Sequence, residues 1–314
     1  MIRQVLVTGC SRGIGLAVAT ALVDEGWRVY GAARTAPPIK DENFRFVQTD
    51  VGDLASVERL RDDLVADLGG RPLDAVIHCA MVQNPVGPLE ETPPLEWAQA
   101  IQIGLIGPYN VVRLLLPLVH ESRDGRILLF AGGGAFSPRP RFSAYACAKA
   151  GVVRLAETLA EELKDSTVTI NCVAPGFVPT SIHEATLQAG PRLAGAEYER
   201  VIRDVAHDDG SRLEQVVACI QHLLSPSARG LSGKTVAAQF DDWEHVSPFT
   251  VPELMATDVW TARRVNELPA TQAAQESAGE PAGKAACSRP VSTPRRLPRT
   301  GRGRRSRGDT HGNA

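Results

Sequence analysis

Residues 3–25 read RQVLVTGCSRGIGLAVATALVDE, and this stretch decides the fold class. Residues 3–8 form a short β-branched run, a strand pattern. From Gly13 to Glu25, Ile14, Val18, Ala21 and Leu22 recur at helical spacing. Between strand and helix stands Thr8-Gly9-Cys10-Ser11-Arg12-Gly13-Ile14-Gly15. Small residues there let the backbone approach a phosphate, whose charge is met by free N–H groups at the helix N-terminus. A glycine cluster alone serves equally for chain reversal. Its place directly after a first strand, inside a βαβ unit, is what points to a pyrophosphate site.

Outward from this unit the same alternation continues. Strand patterns cover 28–33, 44–49, 73–79, 126–130 and 167–173, and helix patterns cover 54–68, 95–118 and 144–163, the second bent at Pro108. Repeated βα units whose strands are apolar without alternation predict a doubly wound, Rossmann-like parallel α/β sheet with helices on both faces. Ligands of such sheets bind beyond the carboxyl ends of the strands. One domain, residues 1–267, accounts for the body. Residues 268–314 are rich in Ala, Gly, Pro, Ser and Arg without an aromatic residue, and are expected to be a disordered basic tail. The tail holds nine Lys/Arg and three Asp/Glu, a charge of +6, which leaves −8 on the body from the chain's net −2. Its run Arg299–Arg307 reads as a solvated end or as an arm for an acidic partner. With no aromatic interleaved for base stacking, no nucleic-acid partner is expected.

At 314 residues and 43% hydrophobic the chain can bury a sizeable core. A near-neutral balance supplies no field to gather nucleic acid or anionic lipid. No run reaches the roughly 18 apolar residues of a spanning helix, and the start has no signal-peptide core, so a soluble, cytoplasmic protein without a membrane partner is expected. Six cysteines are scattered without C-x-x-C or Cys/His spacing, and no metal site is expected.

Four markers in order carry a resemblance. They are the T-G-x-x-x-G-x-G spacing from Thr8 to Gly15, Asp50-Val51 after the third strand, Tyr145-Ala-Cys-Ala-Lys149, and Pro175-Gly176-Phe177-Val178-Pro179-Thr180. Together they make residues 3–240 resemble the short-chain dehydrogenase/reductase family in its single-domain branch. The resemblance implies an NAD(P)(H)-dependent oxidoreductase interconverting a small-molecule alcohol and carbonyl, assembled as a homodimer or homotetramer through the two helices flanking the site. It assigns Thr8, Gly9, Ser11, Arg12, Gly13, Ile14 and Gly15 to the pyrophosphate, and Asp50 and Val51 to the adenine ring. Ala80, the one residue kept from an N-N-A-G segment, joins the cofactor site. Pro175, Gly176, Val178 and Thr180 fall at the nicotinamide end. Tyr145 becomes the acid/base, and Lys149 its partner and the holder of the nicotinamide ribose. Four apart in a helix pattern, the two project from one face. An ammonium beside the phenol would lower the tyrosine pKa toward the working pH.

For the choice of dinucleotide, the second strand ends Ala32-Ala33-Arg34, without the carboxylate that would bond the 2′-OH of NAD. Arg34 and Arg12 can instead grip a 2′-phosphate as guanidinium forks. NADP is expected, NAD being the alternative, and a solvated surface residue the other reading of each arginine.

Two departures weigh against full activity. The serine that the family places thirteen residues before its tyrosine falls on Gly132, or on Ala131 if moved one place, and the nearest hydroxyls are Ser137 and Ser143. The family's asparagine on the central helix falls on Gly104. One well-placed donor is worth about 2.7–4 kcal/mol of barrier. Gly132–Gly134 could offer N–H groups in its place or be a plain turn. A catalytically inactive dinucleotide-binding sensor, scaffold or partner subunit is therefore the alternative to the enzyme. His78 reads as a core histidine or a catalytic one, and Cys147 as a helix packing residue. Residues 181–210 read as a variable lid in which Arg192, Arg200 and Arg203 face solvent or meet an anion. Trp243, Phe249 and Trp260 are expected to seal a C-terminal segment onto the domain or a subunit neighbour.

Overall fold

A strand that is apolar on both faces must be covered on both sides. In the computed structural model of the chain, which describes residues 2–263, the strands are β1 (Gln4–Thr8), β2 (Arg28–Ala33), β3 (Phe44–Gln48), β4 (Ala75–His78), β5 (Gly125–Phe130), β6 (Val168–Ala174) and β7 (Thr235–Ala237). Every residue of β1, β4 and β5 is buried. All pairings are parallel, in the order β3-β2-β1-β4-β5-β6-β7. The doubly wound parallel sheet expected from the alternation is the observed fold.

The helices are α1 (Gly13–Asp24), α2 (Leu54–Leu68), α3 (Pro94–Ile101), α4 (Gly107–His120), α5 (Ser143–Glu162), α6 (Glu184–Ala194), α7 (Ala196–Ala206), α8 (Ser211–Leu224) and α9 (Val251–Met255). On one face of the sheet, Val18 and Leu22 of α1 join Val216, Ile220 and Leu223 of α8. On the other, Leu60 and Leu64 of α2, Val111 and Leu115 of α4 and Val152 of α5 form the second layer. Strand order reverses between β1 and β4, where Thr8 stands beside His78, so the crevice for a ligand opens there.

The long central helix bends, though not at the proline itself. A single turn of π-helix, Gln102–Ile106, joins α3 to α4. Pro108 has no N–H to give to residue 104, and its ring would press on that carbonyl, so the preceding turn widens around Gly104. The whole run Pro94–His120 is long and apolar enough to cross a membrane by length and composition, unlike the sequence expectation, yet α4 buries its apolar residues against the sheet. The segment after β6, expected as a variable lid, is helical: α6 and α7 meet at Gly195, and α6 kinks at Gly190, where φ is 72°. The basic tail and Cys287 lie outside the described residues.

Candidate active site

Close approach explains the glycines of the first turn. Gly9 has φ 67°, and a Cβ there would fall 2.7 Å from the Ala80 backbone nitrogen, at the end of β4. A Cβ on Gly15 would fall 2.4 Å from the Gly9 carbonyl oxygen. One on Gly13 would press on Thr180, at 3.2 Å. Helix α1 starts behind Arg12 in extended backbone, with no side-chain cap and no acidic residue in its first turn. Its opening N–H groups are therefore free for an anion. A cleft of about 660 Å³ lies over this turn. Gly9, Ser11, Arg12, Ile14, Gly15, Arg34, Asp50, Val51, Ala80 and Thr180 line it. Arg12 and Arg34 are exposed, and among the described residues neither sits in an ion pair. These residues fit a dinucleotide: an uncapped helix start, a cradle that any Cβ would fill, and two free guanidinium groups beside the end of β2.

The remaining assigned residues support the cleft from behind. The Thr8 hydroxyl accepts from the Ala80 N–H at 3.3 Å and bonds His78 Nδ1 at 3.1 Å. Gly176, with φ 71°, leaves room for Gln239, whose amide donates to the carbonyls of Pro175 and Phe177 at 2.7 and 3.1 Å. The Val178 carbonyl bonds His183 Nε2 at 3.1 Å. Burial, and then the charge of Arg139, hold His183 down to about 4, so it is neutral.

Tyr145 and Lys149 share a face of α5 as the spacing required, and both are buried. They do not line the cleft. Lys149 Nζ donates to the Phe130 carbonyl at 2.8 Å and lies 5.7 Å from the Tyr145 ring centroid. Burial lowers Lys149 to about 8. Tyr145 is pushed above its ordinary value by burial, and the cation that pulls against this is Arg139, not Lys149. The expected lowering of the phenol by the lysine is thus absent in this arrangement. His78 is 4% exposed, and burial followed by the Lys149 charge holds it to about 3. It is a neutral core histidine whose Nε2 has no partner among the described residues.

Both substituted positions are occupied by neighbours. A Cβ on Gly132 would fall 2.6 Å from Tyr145 Oη, so the phenol rests where a side chain at 132 would begin. Ala131 is 1% exposed and faces the α2–α4–α5 layer. Ser143 accepts from the Trp97 indole at 3.0 Å and Ser137 is exposed, so neither hydroxyl reaches the phenol's side. At Gly104 a Cβ would fall 2.7 Å from Met81 Sδ and 2.8 Å from its Cε. Met81 belongs to the segment that departs from N-N-A-G, so one departure fills the space left by the other.

Over Tyr145 closes a small apolar cluster of Val86, Phe142, Tyr145 and Ala194, with Met81, Ile182 and Tyr198 packed against it. Arg139 sits at its edge. Its guanidinium carbon lies 4.1 Å from the Phe142 ring and 5.1 Å from the Tyr145 ring, and Nη2 is 3.0 Å from Glu197 Oε2 on α7. With the Gln83 amide turned so that both ends are satisfied, its oxygen accepts from both terminal nitrogens of Arg139 at 3.2 Å. Its nitrogen then donates to the Ile182 carbonyl at 3.0 Å and the Thr186 hydroxyl at 2.7 Å. The three arginines considered for an anion are engaged elsewhere: Arg192 with Glu91, Arg200 with Glu197 and Asp204, Arg203 with Asp204. Cys147 is exposed, not packed. Trp243 is buried and donates to the Ala238 carbonyl, and the Trp260 carbonyl accepts from Thr235, but Phe249 is 93% exposed and seals nothing among the described residues. Sequence reasoning missed Arg139, Gln83, Met81 and Glu197. No spacing marks them, since Met81 and Gln83 reach the site from the loop after β4, Arg139 from the loop before α5 and Glu197 from α7.

Residues 3–189 match the family model described as short chain dehydrogenase. Among curated proteins, an asnovolin H dehydrogenase of Aspergillus novofumigatus is 29% identical over 240 residues, covering 74% of this chain and 93% of its own length. A D-beta-hydroxybutyrate dehydrogenase of Rhizobium meliloti is 28% identical over 252 residues, covering 76% and 97%. The ligand-free aldohexose dehydrogenase of Thermoplasma acidophilum superposes with a TM-score of 0.66 at 23% identity, over 75% of this chain and 92% of that one. At that identity the superposition speaks for the fold.

Proposed function

Because the chain belongs to the short-chain dehydrogenase family, a family of oxidoreductases, we propose that it is an NADP(H)-linked enzyme interconverting a small alcohol and its carbonyl compound. The observation that carries this reading is the glycine-built cleft over an uncapped helix start, with Arg12 and Arg34 lining it and in no ion pair among the described residues. When bound, the dinucleotide supplies or accepts the hydride. In our reading Thr8, Gly9, Ser11, Gly13, Ile14 and Gly15 hold the pyrophosphate, and Arg12 and Arg34 hold the 2′-phosphate. Asp50 and Val51 border the adenine, while Ala80, Pro175, Gly176, Val178 and Thr180 border the nicotinamide end. Tyr145 gives its proton to the substrate oxygen during reduction and takes it back during oxidation. Lys149 orients the ribose. Residues 1–267 form the single catalytic domain in this reading, in a cytoplasmic homodimer or homotetramer built on α4 and α5.

A second reading is favoured by one specific observation. Tyr145 Oη rests against Gly132 and Met81 fills the place at Gly104, so a side chain at either position has first to displace its neighbour. A dinucleotide-binding sensor, scaffold or partner subunit without turnover accounts for that. Titration calorimetry with NADP(H) and NAD(H), followed by absorbance at the nicotinamide band with ketones, aldehydes and sugar alcohols, separates the readings. Tighter NADP(H) binding with turnover that Tyr145→Phe abolishes is the expected result. Binding without turnover supports the sensor, and no binding of either dinucleotide refutes both.

A further inference from the structure

The enzyme reading leaves unexplained a cation beside Tyr145. Arg139 is 12% exposed, and its stem lies across Gly133, where a Cβ would meet Arg139 Cδ at 3.6 Å and Cζ at 3.9 Å. The guanidinium therefore occupies the side of the site from which the serine is missing, 5.1 Å from the Tyr145 ring. A half-desolvated guanidinium is costly to hold there unless a carboxylate faces it. In this structure the facing carboxylate is Glu197, on the helix that closes the site. Glu197 is shared: its other oxygen accepts from Arg200 at 3.2 Å, and Arg200 is exposed. Gln83 lines the dinucleotide cleft and, on its other side, accepts from Arg139. Glycines at both ends of the kinked segment, Gly190 and Gly195, have positive φ and can carry a hinge.

From this arrangement we propose that the substrate is an oxo acid or hydroxy acid whose carboxylate binds Arg139 in place of Glu197, while its carbonyl or hydroxyl oxygen meets Tyr145. The proposal rests on the enzyme reading and adds the substrate class. In the reductive direction a bound reduced dinucleotide would supply the hydride to the carbonyl carbon, and the oxygen, left with the C=O π pair, would take the Tyr145 proton, which solvent would restore. The carboxylate takes no part in that balance. It positions the carbonyl, and by displacing Glu197 it frees α7 from the Arg139 contact. A planar fork meeting a carboxylate matches the geometry that makes arginine the preferred partner for this group.

The test compares pyruvate, acetoacetate and levulinate with their methyl esters as substrates for the full chain with NADPH. The wild type should prefer at least one acid over its ester by about tenfold or more in kcat/KM, the scale of a charge-assisted contact. Arg139→Gln should collapse that ratio toward one, Arg139→Lys should keep part of it, and Glu197→Gln should lower KM for the acid. Calorimetric binding of butyrate to the protein without dinucleotide reads the same site with no turnover: binding is expected in the wild type, tighter in Glu197→Gln and lost in Arg139→Gln. Should Arg139→Gln not fold, the Glu197→Gln titration still decides. Equal losses on acid and ester, or butyrate binding indifferent to both substitutions, overturns the proposal. Failure of the enzyme reading shows differently, as absent NADPH binding or turnover beside intact butyrate binding.

Discussion

Gly104 and Met81 should be energetically coupled, and the size of the coupling follows from their contact. A Cβ at 104 would lie 2.7 Å from Met81 Sδ, 2.8 Å from Cε and 3.0 Å from the Ala148 Cβ. Gly104→Ala alone must push the thioether aside. Overpacking of that kind costs about 1–3 kcal/mol, set against the roughly 0.5–1 kcal/mol that alanine gains over glycine in a helix. A net loss of about 1 kcal/mol is expected. Met81→Ala alone removes a half-buried side chain from the cluster over Tyr145, at about 2 kcal/mol, the low end for methionine truncation. In the double variant the new methyl enters the space the thioether left, so Gly104→Ala turns from a loss to a gain of up to about 1 kcal/mol. The coupling is then about 1–2 kcal/mol in favour of the double variant. Equilibrium urea unfolding of the four proteins measures it. Additivity within about 0.5 kcal/mol would refute the idea that Met81 fills the place at 104. The same logic says that asparagine cannot be restored at 104 while Met81 remains.

Gly132→Ser should lower turnover instead of raising it, because its Cβ would fall 2.6 Å from Tyr145 Oη and displace the phenol; NADPH oxidation by this variant, set beside Tyr145→Phe, checks this, and a large gain in rate would show that the phenol yields freely. Lys149 is lowered by burial to about 8 from 10.5, so between those values the unfolded chain binds more protons and stability rises with pH. Relative to Lys149→Met, the wild type should therefore gain up to about 3 kcal/mol between pH 7 and pH 10.5, read from urea midpoints, and a flat difference would contradict a buried ammonium. Arg34→Ala should narrow the preference for NADPH over NADH by about tenfold in Kd, measured by calorimetry, and an unchanged ratio would remove Arg34 from the phosphate site.

Much of the fold was legible because parallel strands and their covering helices write themselves in period and burial. The strands from β1 to β6 and the helices α1, α2 and α5 fall within a residue or two of their patterns. The late elements were not read: β7 is three residues long, and α6 and α7, although amphipathic, lie in a polar, glycine-interrupted stretch that breaks at Gly190 and again at Gly195. Pro108 announced a bend, but that the bend would be a π-turn around Gly104 depended on what the widened turn had to avoid. In the candidate site, residues close in sequence were the readable ones, since the glycine turn and the Tyr145–Lys149 pair each lie within a single turn-and-helix segment.

What the chain determined by itself is the parallel α/β architecture, the glycine turn between β1 and α1 and the shared face of Tyr145 and Lys149, because local spacing and apolar period suffice for each. The tertiary structure decided the rest. It set the strand order that opens the crevice at β1 and β4, turned Lys149 to the Phe130 carbonyl, seated Met81 against Gly104 and brought Arg139 and Glu197 over Tyr145. Those contacts join residues up to 70 positions apart, and pairings at such separations depend on how the layers pack, which no local pattern records.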